Sequence, residues 1–302
     1  RLTVIGIDGA TWEVLEPLME QGKLPTLAGL ARRGVRGRLL SIPPFCSPFL
    51  WPSIDTVVSA EVHRLCSYAY LRVPGVGPLP TEDVTALPSL FPFGLMGVAA
   101  VQSGLLELSP ATSDAACAPR MWDRMQAAGG TSAVINWHAT WPAQELRGVV
   151  VSDRALRATL WTLFNPRPAS GSGFSPAGMR EDLASCMSDP SRLDPGSMER
   201  FFPVDESVRA LLERADFGAR SHDITLFKWL HNIDRNAFAC ARAVRARLRP
   251  DVTYLLLNSF DFVAHAFWNF HFRIGEAEMA PDVFRRYGGT LAAHCAWLDE
   301  EV

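Results

Sequence analysis

Several features that mark common classes of protein are absent from this sequence. No segment carries a run of basic residues, and the formal net charge is -3 over 302 residues. A groove for a nucleic-acid polymer or a surface for anionic lipid is therefore not favoured, because both need concentrated positive charge. The six cysteines are dispersed and include no C-x-x-C pair. This pattern fits a reducing compartment better than a disulfide framework, and we expect the protein in the cytoplasm.

Long apolar runs and familiar phosphate-binding or hydrolase motifs are missing as well. The most apolar stretch, residues 87–106, is interrupted by proline and glycine, which favours a buried or substrate-covering segment over a membrane span. No signal peptide is visible, and the chain starts at Arg1 rather than at methionine. There is no GxxxxGK[ST] loop, no GxGxxG after a predicted strand and no GxSxG turn. The sites that those three motifs build are therefore not indicated.

The apolar residues that are present predict an α/β fold with a mainly parallel, doubly wound sheet. Strands are predicted where short continuous apolar runs occur, at residues 2–8, 35–42, 132–136, 148–152 and 252–258. Helical spacing over residues 11–33 is divided by Gly22 and Pro25, which predicts two helices. Because helical segments alternate with strands, the pattern is β-α-β. Two irregular stretches, about 65–118 and 163–204, are expected to be insertions that form a substrate cap.

Asp8 ends the first predicted strand. The carboxyl edge of an open parallel sheet is where ligands bind, and a carboxylate at that edge can hold a metal ion. Asp8 is followed by Gly9, and an Asp-Gly pair is also common in turns and at helix starts. A metal ligand and a turn former are therefore both open interpretations of this residue.

Asp261 and His265 follow the strand predicted at residues 252–258. Their i, i+4 spacing places both side chains on one face of a helix. A carboxylate and an imidazole in this arrangement suit Zn²⁺ or Mn²⁺. The alternative is a capping aspartate and a packed histidine in a segment rich in aromatic residues.

Ser47 precedes Pro48, and this pair predicts the start of a helix with Ser47 as its N-cap. Backbone N–H groups at that end of a helix can hold a phosphate, and a serine beside a metal ion can act as a nucleophile. A plain helix cap is the alternative. Two histidines, His63 and His138, are weaker candidates for lining a pocket.

Seven segments share an order along the chain that is typical of one family: VIGIDGATW at 4–12, LPTL at 24–27, SPFLWPSIDTV at 47–57, MWD at 121–123, VINWHATWP at 134–142, RGVVVS at 147–152 and DFVAHAFW at 261–268. Together they resemble the type I phosphodiesterase/nucleotide pyrophosphatase family of the alkaline phosphatase superfamily, in its bacterial branch of phosphohydrolases and phosphomutases. The resemblance covers nearly the whole chain.

The resemblance implies an alkaline phosphatase-like α/β domain spanning residues 1–302 and a hydrolase that cleaves a phosphodiester or phosphomonoester through a phosphoserine intermediate. Ser47 is the implied nucleophile. Two divalent metal ions are implied, with zinc expected and manganese as the alternative; Asp8 and Ser47 would bind one, and Asp261 and His265 the other. The expected partner is a small phosphorylated substrate. The last metal ligands of the family are expected beyond Val302, so this chain alone is expected to be inactive.

The chain also departs from the family pattern at several positions. Pro52 stands where Thr or Ser is usual, Val57 and Arg64 replace glycines, and Leu50 occupies the place of a phosphate-binding Asn. These departures keep two alternatives open beside hydrolysis. One is a phosphomutase-like transfer on the same scaffold, and the other is a catalytically dead member that acts as a binding domain.

Overall fold

The computed structural model describes residues 1–43, 45–80, 103–156, 171–214, 223–278 and 280–302. Three sequence predictions fall partly outside this part of the chain. Most of the apolar stretch 87–106, residues 81–102 of the insertion predicted at about 65–118, and the first residues of the insertion predicted at 163–204 are not among the described residues.

The described strands and helices alternate along much of the chain. The strands are β1 (Leu2–Ile7), β2 (Ala69–Val73), β3 (Gly77–Pro80), β4 (Glu107–Pro110), β5 (Ser132–Ile135), β6 (Gly148–Val151), β7 (Phe174–Ser175) and β8 (Val252–Leu257). The helices are α1 (Trp12–Glu20), α2 (Pro25–Arg33), α3 (Ser47–Thr56), α4 (Ala60–His63), α5 (Met121–Ala127), α6 (Met179–Ala184), α7 (Glu206–Glu213), α8 (Asp223–Leu248), α9 (Ser259–His271), α10 (Pro281–Tyr287) and α11 (Thr290–Glu301). Helices α1 and α2 are the two pieces predicted for residues 11–33.

The main sheet has the hydrogen-bonded order β1-β8-β5-β6-β7. Strands β5 and β6 run parallel with Val134 beside Val150, and the two-residue strand β7 adds an antiparallel edge. Every residue of β5 and β8 is buried, as the continuous apolar runs predict for strands covered on both faces. The predicted α/β fold with a mainly parallel sheet is therefore confirmed.

A second, smaller sheet lies inside the stretch predicted as an irregular insertion at about 65–118. Its order is β3-β2-β4, and β2 pairs antiparallel with both neighbours. The sequence did not indicate these strands, because they are four or five residues long and two of them, β3 and β4, contain proline.

The strand predicted at residues 35–42 is wrong. The structure assigns no strand there, and Val35, Leu39 and Leu40 expose most of their side-chain surface. Apolar composition alone does not make a strand, since the backbone also needs a neighbouring strand for its hydrogen bonds. Within the described residues, no strand pairs with this segment.

The chain divides into two compact units. Unit 1 contains Arg1–Leu2, Leu40–Arg180 and Leu248–Tyr254, and unit 2 contains Thr3–Leu39, Glu181–Arg247 and Leu255–Val302. Their boundary passes through β1 and β8. A domain spanning all of residues 1–302 stays a prediction. None of the helices that can be examined in the described part of the chain has the length and apolar character needed to cross a membrane.

Candidate functional site

Asp8 and Asn258 stand directly after two neighbouring strands in unit 2. The Asp8 N–H donates to the carbonyl oxygen of Leu257 at 2.8 Å, which aligns the carboxyl ends of β1 and β8. The Asn258 side-chain amide donates to Asp8 Oδ2 at 3.2 Å. Asp8 is buried at this edge. The structure thus places Asp8 where the sequence predicted it, at an edge of the sheet that suits a ligand.

Helix α9 begins immediately after Asn258 and brings two further candidate ligands to the same unit. Asp261 lies in its first turn and His265 one turn later, as the spacing predicts. His265 Nε2 is 3.7 Å from Asp261 Oδ1, which is too long for a hydrogen bond. The His265 side chain is 76% exposed and that of Asp261 is 39% exposed. Both side chains can therefore be reached from solvent.

The carboxylates of Asp8 and Asp261 influence each other. The pKa of Asp261 is raised, first by partial burial and then by the negative charge of Asp8, while His265 lowers it. Two carboxylates that repel in this way favour a cation or a proton between them.

Gly9 fixes how closely β1 approaches α9. Its φ is +72°, a left-handed conformation, and a Cβ added there would lie 2.7 Å from Asp261 Oδ1 and 2.9 Å from Asp261 Cα. The second atom belongs to the main chain and cannot turn aside. Any larger residue would displace the first turn of α9. Gly9 was not among the predicted site residues, although its position next to Asp8 at a strand end was the available signal.

Asp8, Asp261 and His265 are of the residue types that bind divalent cations. Carboxylate and imidazole groups are ligands that Zn²⁺ and Mn²⁺ accept, and the mutual repulsion of Asp8 and Asp261 would be relieved by positive charge. Across the described ranges, however, no group of three or more His, Cys, Asp or Glu side chains is gathered closely enough to hold a metal ion. We call Asp8, Asp261 and His265 the candidate metal centre.

A buried polar network holds the residues that precede Asp261. Asp234 on α8 accepts hydrogen bonds from the N–H of Asn258 at 3.1 Å and from the N–H of Ser259 at 2.9 Å. The Ser259 hydroxyl donates to the same carboxylate and accepts from Nε2 of His294 at 2.9 Å. The side chains of Asp234, Ser259 and His294 are fully buried. Sequence reasoning did not find this network, because its members are far apart along the chain.

Ser47 belongs to unit 1 and is the first residue of α3. The predicted role of Ser47 as N-cap is wrong by one residue, since Cys46 is the N-cap and makes no side-chain capping bond. The reason is that Pro48 fits the second helical position as well as the first, because the N–H groups of both positions lack partners within the helix. The Ser47 side chain is half-buried at the positive end of a helix that continues through Pro52 to Thr56.

The two positions where family glycines are replaced adopt the backbone conformation that glycine favours. Val57 follows α3 and Arg64 follows α4, each with φ of +61°. A left-handed residue at this place closes the last turn of a helix. The departures at Val57 and Arg64 therefore leave the local chain path of a glycine in place, at a cost in strain.

Unit 1 contains a different polar centre, formed by Asp55 and Arg120. The guanidinium makes two hydrogen bonds of 2.9 Å to the carboxylate, and Trp137 Nε1 donates a third at 2.9 Å. Arg120 also donates to the carbonyl oxygens of His138 and Ala139. Asp55, Arg120 and Trp137 are buried. This saturated arrangement has the form of a structural ion pair.

The two weaker histidine candidates are held in the packed interior of unit 1. Nδ1 of His63 accepts a hydrogen bond from the N–H of Leu65, so in the neutral ring the proton is on Nε2. Nε2 lies 3.0 Å from Ser53 Oγ. Burial lowers the pKa of His63, which keeps the ring neutral. His138 is buried, and its ring meets that of Tyr68 edge-on. These surroundings favour a packing role for both rings.

Comparison with known proteins points to one family. The model of the family described as type I phosphodiesterase / nucleotide pyrophosphatase matches residues 2–300. Two solved structures of phosphonoacetate hydrolase from Sinorhizobium meliloti 1021, one with phosphonoacetate and one with phosphonoformate, are similar at 16% and 18% identity, with TM-scores of 0.49 and 0.48. Each match covers 99% of this chain and 51% of the other, so the chain spans about half the length of those proteins. No curated protein matches the sequence significantly.

Proposed function

The chain belongs to the type I phosphodiesterase / nucleotide pyrophosphatase family, and on this premise we propose that it carries the metal-dependent hydrolysis of a phosphodiester or phosphomonoester. The observation that carries the proposal is the meeting of Asp8 and Asp261 at the carboxyl ends of β1 and β8, with His265 one helical turn away. The substrate is a small phosphorylated molecule. The six cysteines are free, which supports a reducing compartment such as the cytoplasm.

Asp8, Asp261 and His265 would hold divalent cations in this proposal. Asp261 and His265 would form part of one site and Asp8 part of another, to which the resemblance to the family also assigns Ser47, with zinc expected and manganese as the alternative. A bound divalent cation supplies Lewis-acid stabilisation of the charge that develops on phosphoryl oxygens.

Ser47 is the nucleophile of the proposed reaction. Its Oγ forms a bond to phosphorus as the bond from phosphorus to the leaving alcohol breaks, and the leaving oxygen takes up a proton. Water then cleaves the phosphoserine, which returns the serine hydroxyl and releases phosphate or a phosphomonoester. The start of α3 supports this role, because the positive end of the helix lies beside the Ser47 hydroxyl.

The backbone at Val57 and Arg64 weighs against the alternative of a catalytically dead binding domain. Both residues keep the left-handed conformation that glycine would provide at the ends of α3 and α4. These two departures from the family pattern therefore keep the local backbone conformation of a glycine at the ends of α3 and α4.

The test compares Ser47→Ala with Ser53→Ala. Ser53 lies on the same helix, but its hydroxyl donates to the carbonyl of Phe49 and faces His63, so it serves as the control. Purified full-length protein is incubated with an aryl phosphomonoester and an aryl phosphodiester in the presence of Zn²⁺ or Mn²⁺, and a parallel sample is quenched in acid for mass spectrometry.

We expect phosphate on Ser47 in the wild type and in Ser53→Ala, and neither phosphate nor turnover in Ser47→Ala. Turnover that survives in Ser47→Ala, or phosphate on another residue, would contradict the proposed role of Ser47.

A further inference from the structure

We propose that Asp234 is a positioning residue for the candidate metal centre, although it lies on a different helix and contributes no ligand. Its carboxylate holds the segment Asn258–Ser259, and that segment sets the places of both Asp8 and Asp261. The inference rests on the proposed function for what the centre binds.

The capping of α9 depends on Asp234. The N-cap residue of α9, Asn258, makes no side-chain capping bond. Asp234 supplies that function from α8, accepting the N–H of Asn258 on Oδ1 and the N–H of Ser259 on Oδ2. A buried carboxylate that accepts helix N-terminal N–H groups is stabilised by both the hydrogen bonds and the helix dipole.

The segment Asn258–Ser259 is connected to both carboxylates of the candidate metal centre. The side chain of Asn258 donates to Asp8, while Ser259 lies two residues before Asp261 in the same helical turn. Gly9 packs against the main chain of Asp261, so a small shift at the start of α9 changes the contact with β1. One carboxylate therefore controls the separation of Asp8 and Asp261.

Ser259 and His294 extend the hydrogen-bond network of Asp234, but the three residues do not form a catalytic triad. The Ser259 hydroxyl donates a hydrogen bond to Asp234. Its oxygen therefore accepts a hydrogen bond from the N–H at Nε2 of His294. Burial keeps His294 neutral, since it lowers the pKa of this histidine to about 3. In a catalytic triad the serine donates a hydrogen bond to the histidine and contacts the substrate. Here the serine accepts from the histidine instead, and Asp234, Ser259 and His294 are all buried away from any substrate.

Asp299 offers a matched control in the same unit. This buried aspartate on α11 accepts from the N–H groups of Thr26 and Leu27 at 2.9 and 2.7 Å, which caps α2. The N-cap of α2, Leu24, also makes no side-chain capping bond. Asp299 and Asp234 thus each accept two consecutive backbone N–H groups at the start of a helix, and only the segment held by Asp234 donates to Asp8 and leads into Asp261.

The experiment measures Mn²⁺ affinity and melting temperature for the full chain carrying Asp234→Asn or Asp299→Asn. Asparagine keeps the size of the side chain and turns one acceptor into a donor that faces an N–H group. Both variants should lower the melting temperature to a similar extent. Only Asp234→Asn should weaken Mn²⁺ binding, by about 10- to 100-fold, as expected for a group that orients metal ligands.

Equal Mn²⁺ affinity in Asp234→Asn and the wild type would overturn the inference while leaving the proposed function intact. A wild type that binds Mn²⁺ no better than Asp261→Ala is a different result, and it would overturn the proposed function together with the inference. If Asp234→Asn does not fold, Ser259→Ala takes its place, because it removes one bond to Asp234 and keeps both backbone bonds. Its Mn²⁺ affinity should fall by a smaller factor, and no change would count against Asp234.

Discussion

Asp55 in unit 1 and Asp261 in unit 2 are both helical aspartates, yet their surroundings differ in the sign of the nearest charge. Asp55 is fully buried against the Arg120 guanidinium and the Trp137 indole. Asp261 is partly exposed and lies near the carboxylate of Asp8. The charge of Asp55 is therefore balanced within the chain, whereas that of Asp261 adds to a neighbouring like charge. This difference separates an aspartate that holds the fold from one that suits a cation.

The largest effect should come from breaking the buried pair in unit 1. Arg120→Met leaves the Asp55 carboxylate buried without its counter-charge, and the free energy of unfolding should fall by about 3–5 kcal/mol. Arg36→Met removes an exposed partner of Glu16 and should cost at most about 1 kcal/mol. Urea denaturation measures both values. Similar losses in the two variants would mean that the Asp55–Arg120 pair does not anchor unit 1.

Acid should destabilise the protein through the buried histidines of unit 2. Burial lowers the pKa of His231 to about 2 and that of His294 to about 3. The unfolded chain takes up these protons near pH 6.5, so stability is complete above that pH and falls as the pH drops below it. At pH 5.5 the two histidines should together lower the free energy of unfolding by about 3 kcal/mol.

Replacing one of the buried histidines isolates this effect from that of the carboxylates. His231→Phe keeps an aromatic ring beside Trp297 and should reduce the loss of stability between pH 7 and pH 5.5 by about 1 kcal/mol. Denaturation at both pH values is the measurement. An unchanged pH dependence in His231→Phe would show that this ring does not stay neutral in the folded state.

A somewhat smaller effect is expected from Gly9→Ala, with Gly22→Ala as its control. Both glycines have φ of +72°, but only at Gly9 would a Cβ meet Asp261, and at Gly22 it would meet nothing within 4 Å. Gly22→Ala should cost about 1 kcal/mol from backbone strain alone. Gly9→Ala should cost about 2–3 kcal/mol and also weaken Mn²⁺ binding, because the added methyl group displaces Asp261.

Denaturation and Mn²⁺ titration of the two glycine variants give the comparison. Equal stability and equal Mn²⁺ affinity in Gly9→Ala and Gly22→Ala would show that the contact between Gly9 and Asp261 does not shape the centre.

The smallest effect is a gain of stability in unit 1. Val57→Gly should raise the free energy of unfolding by about 1 kcal/mol, because it relieves a β-branched residue held at positive φ. Val58→Gly should lower it by about 0.5–1 kcal/mol, since Val58 is not among the residues at positive φ. Thermal unfolding distinguishes the two signs. A loss of stability in Val57→Gly would contradict the strain assigned to this helix end.

Much of the fold could be predicted because its signals are local. The strands β1, β5, β6 and β8 appear as continuous apolar runs, and the spacing of Asp261 and His265 already places them on one helix face. The segment at 35–42 has the same apolar character, but whether a strand forms depends on a pairing partner that a local pattern does not contain.

The supports of the candidate metal centre could not be predicted for a related reason. Asp234 lies in the middle of a long helix, 24 residues before Asn258, and only the folded chain brings its carboxylate to the N–H groups of α9. Gly9 was visible as part of an Asp-Gly pair, but its contact with Asp261 spans most of the chain. Ligand types can be read from a sequence, whereas the groups that orient them are found through tertiary contacts.

The most direct test of the candidate metal centre is the zinc content of purified full-length protein, measured by elemental analysis for wild type, Asp261→Asn, His265→Ala and His271→Ala. His271 lies at the end of the same helix and serves as the control. We expect less zinc per chain in Asp261→Asn and His265→Ala, and a wild-type content in His271→Ala. Wild-type zinc in folded Asp261→Asn and His265→Ala would contradict the assignment of Asp8, Asp261 and His265 as a metal centre.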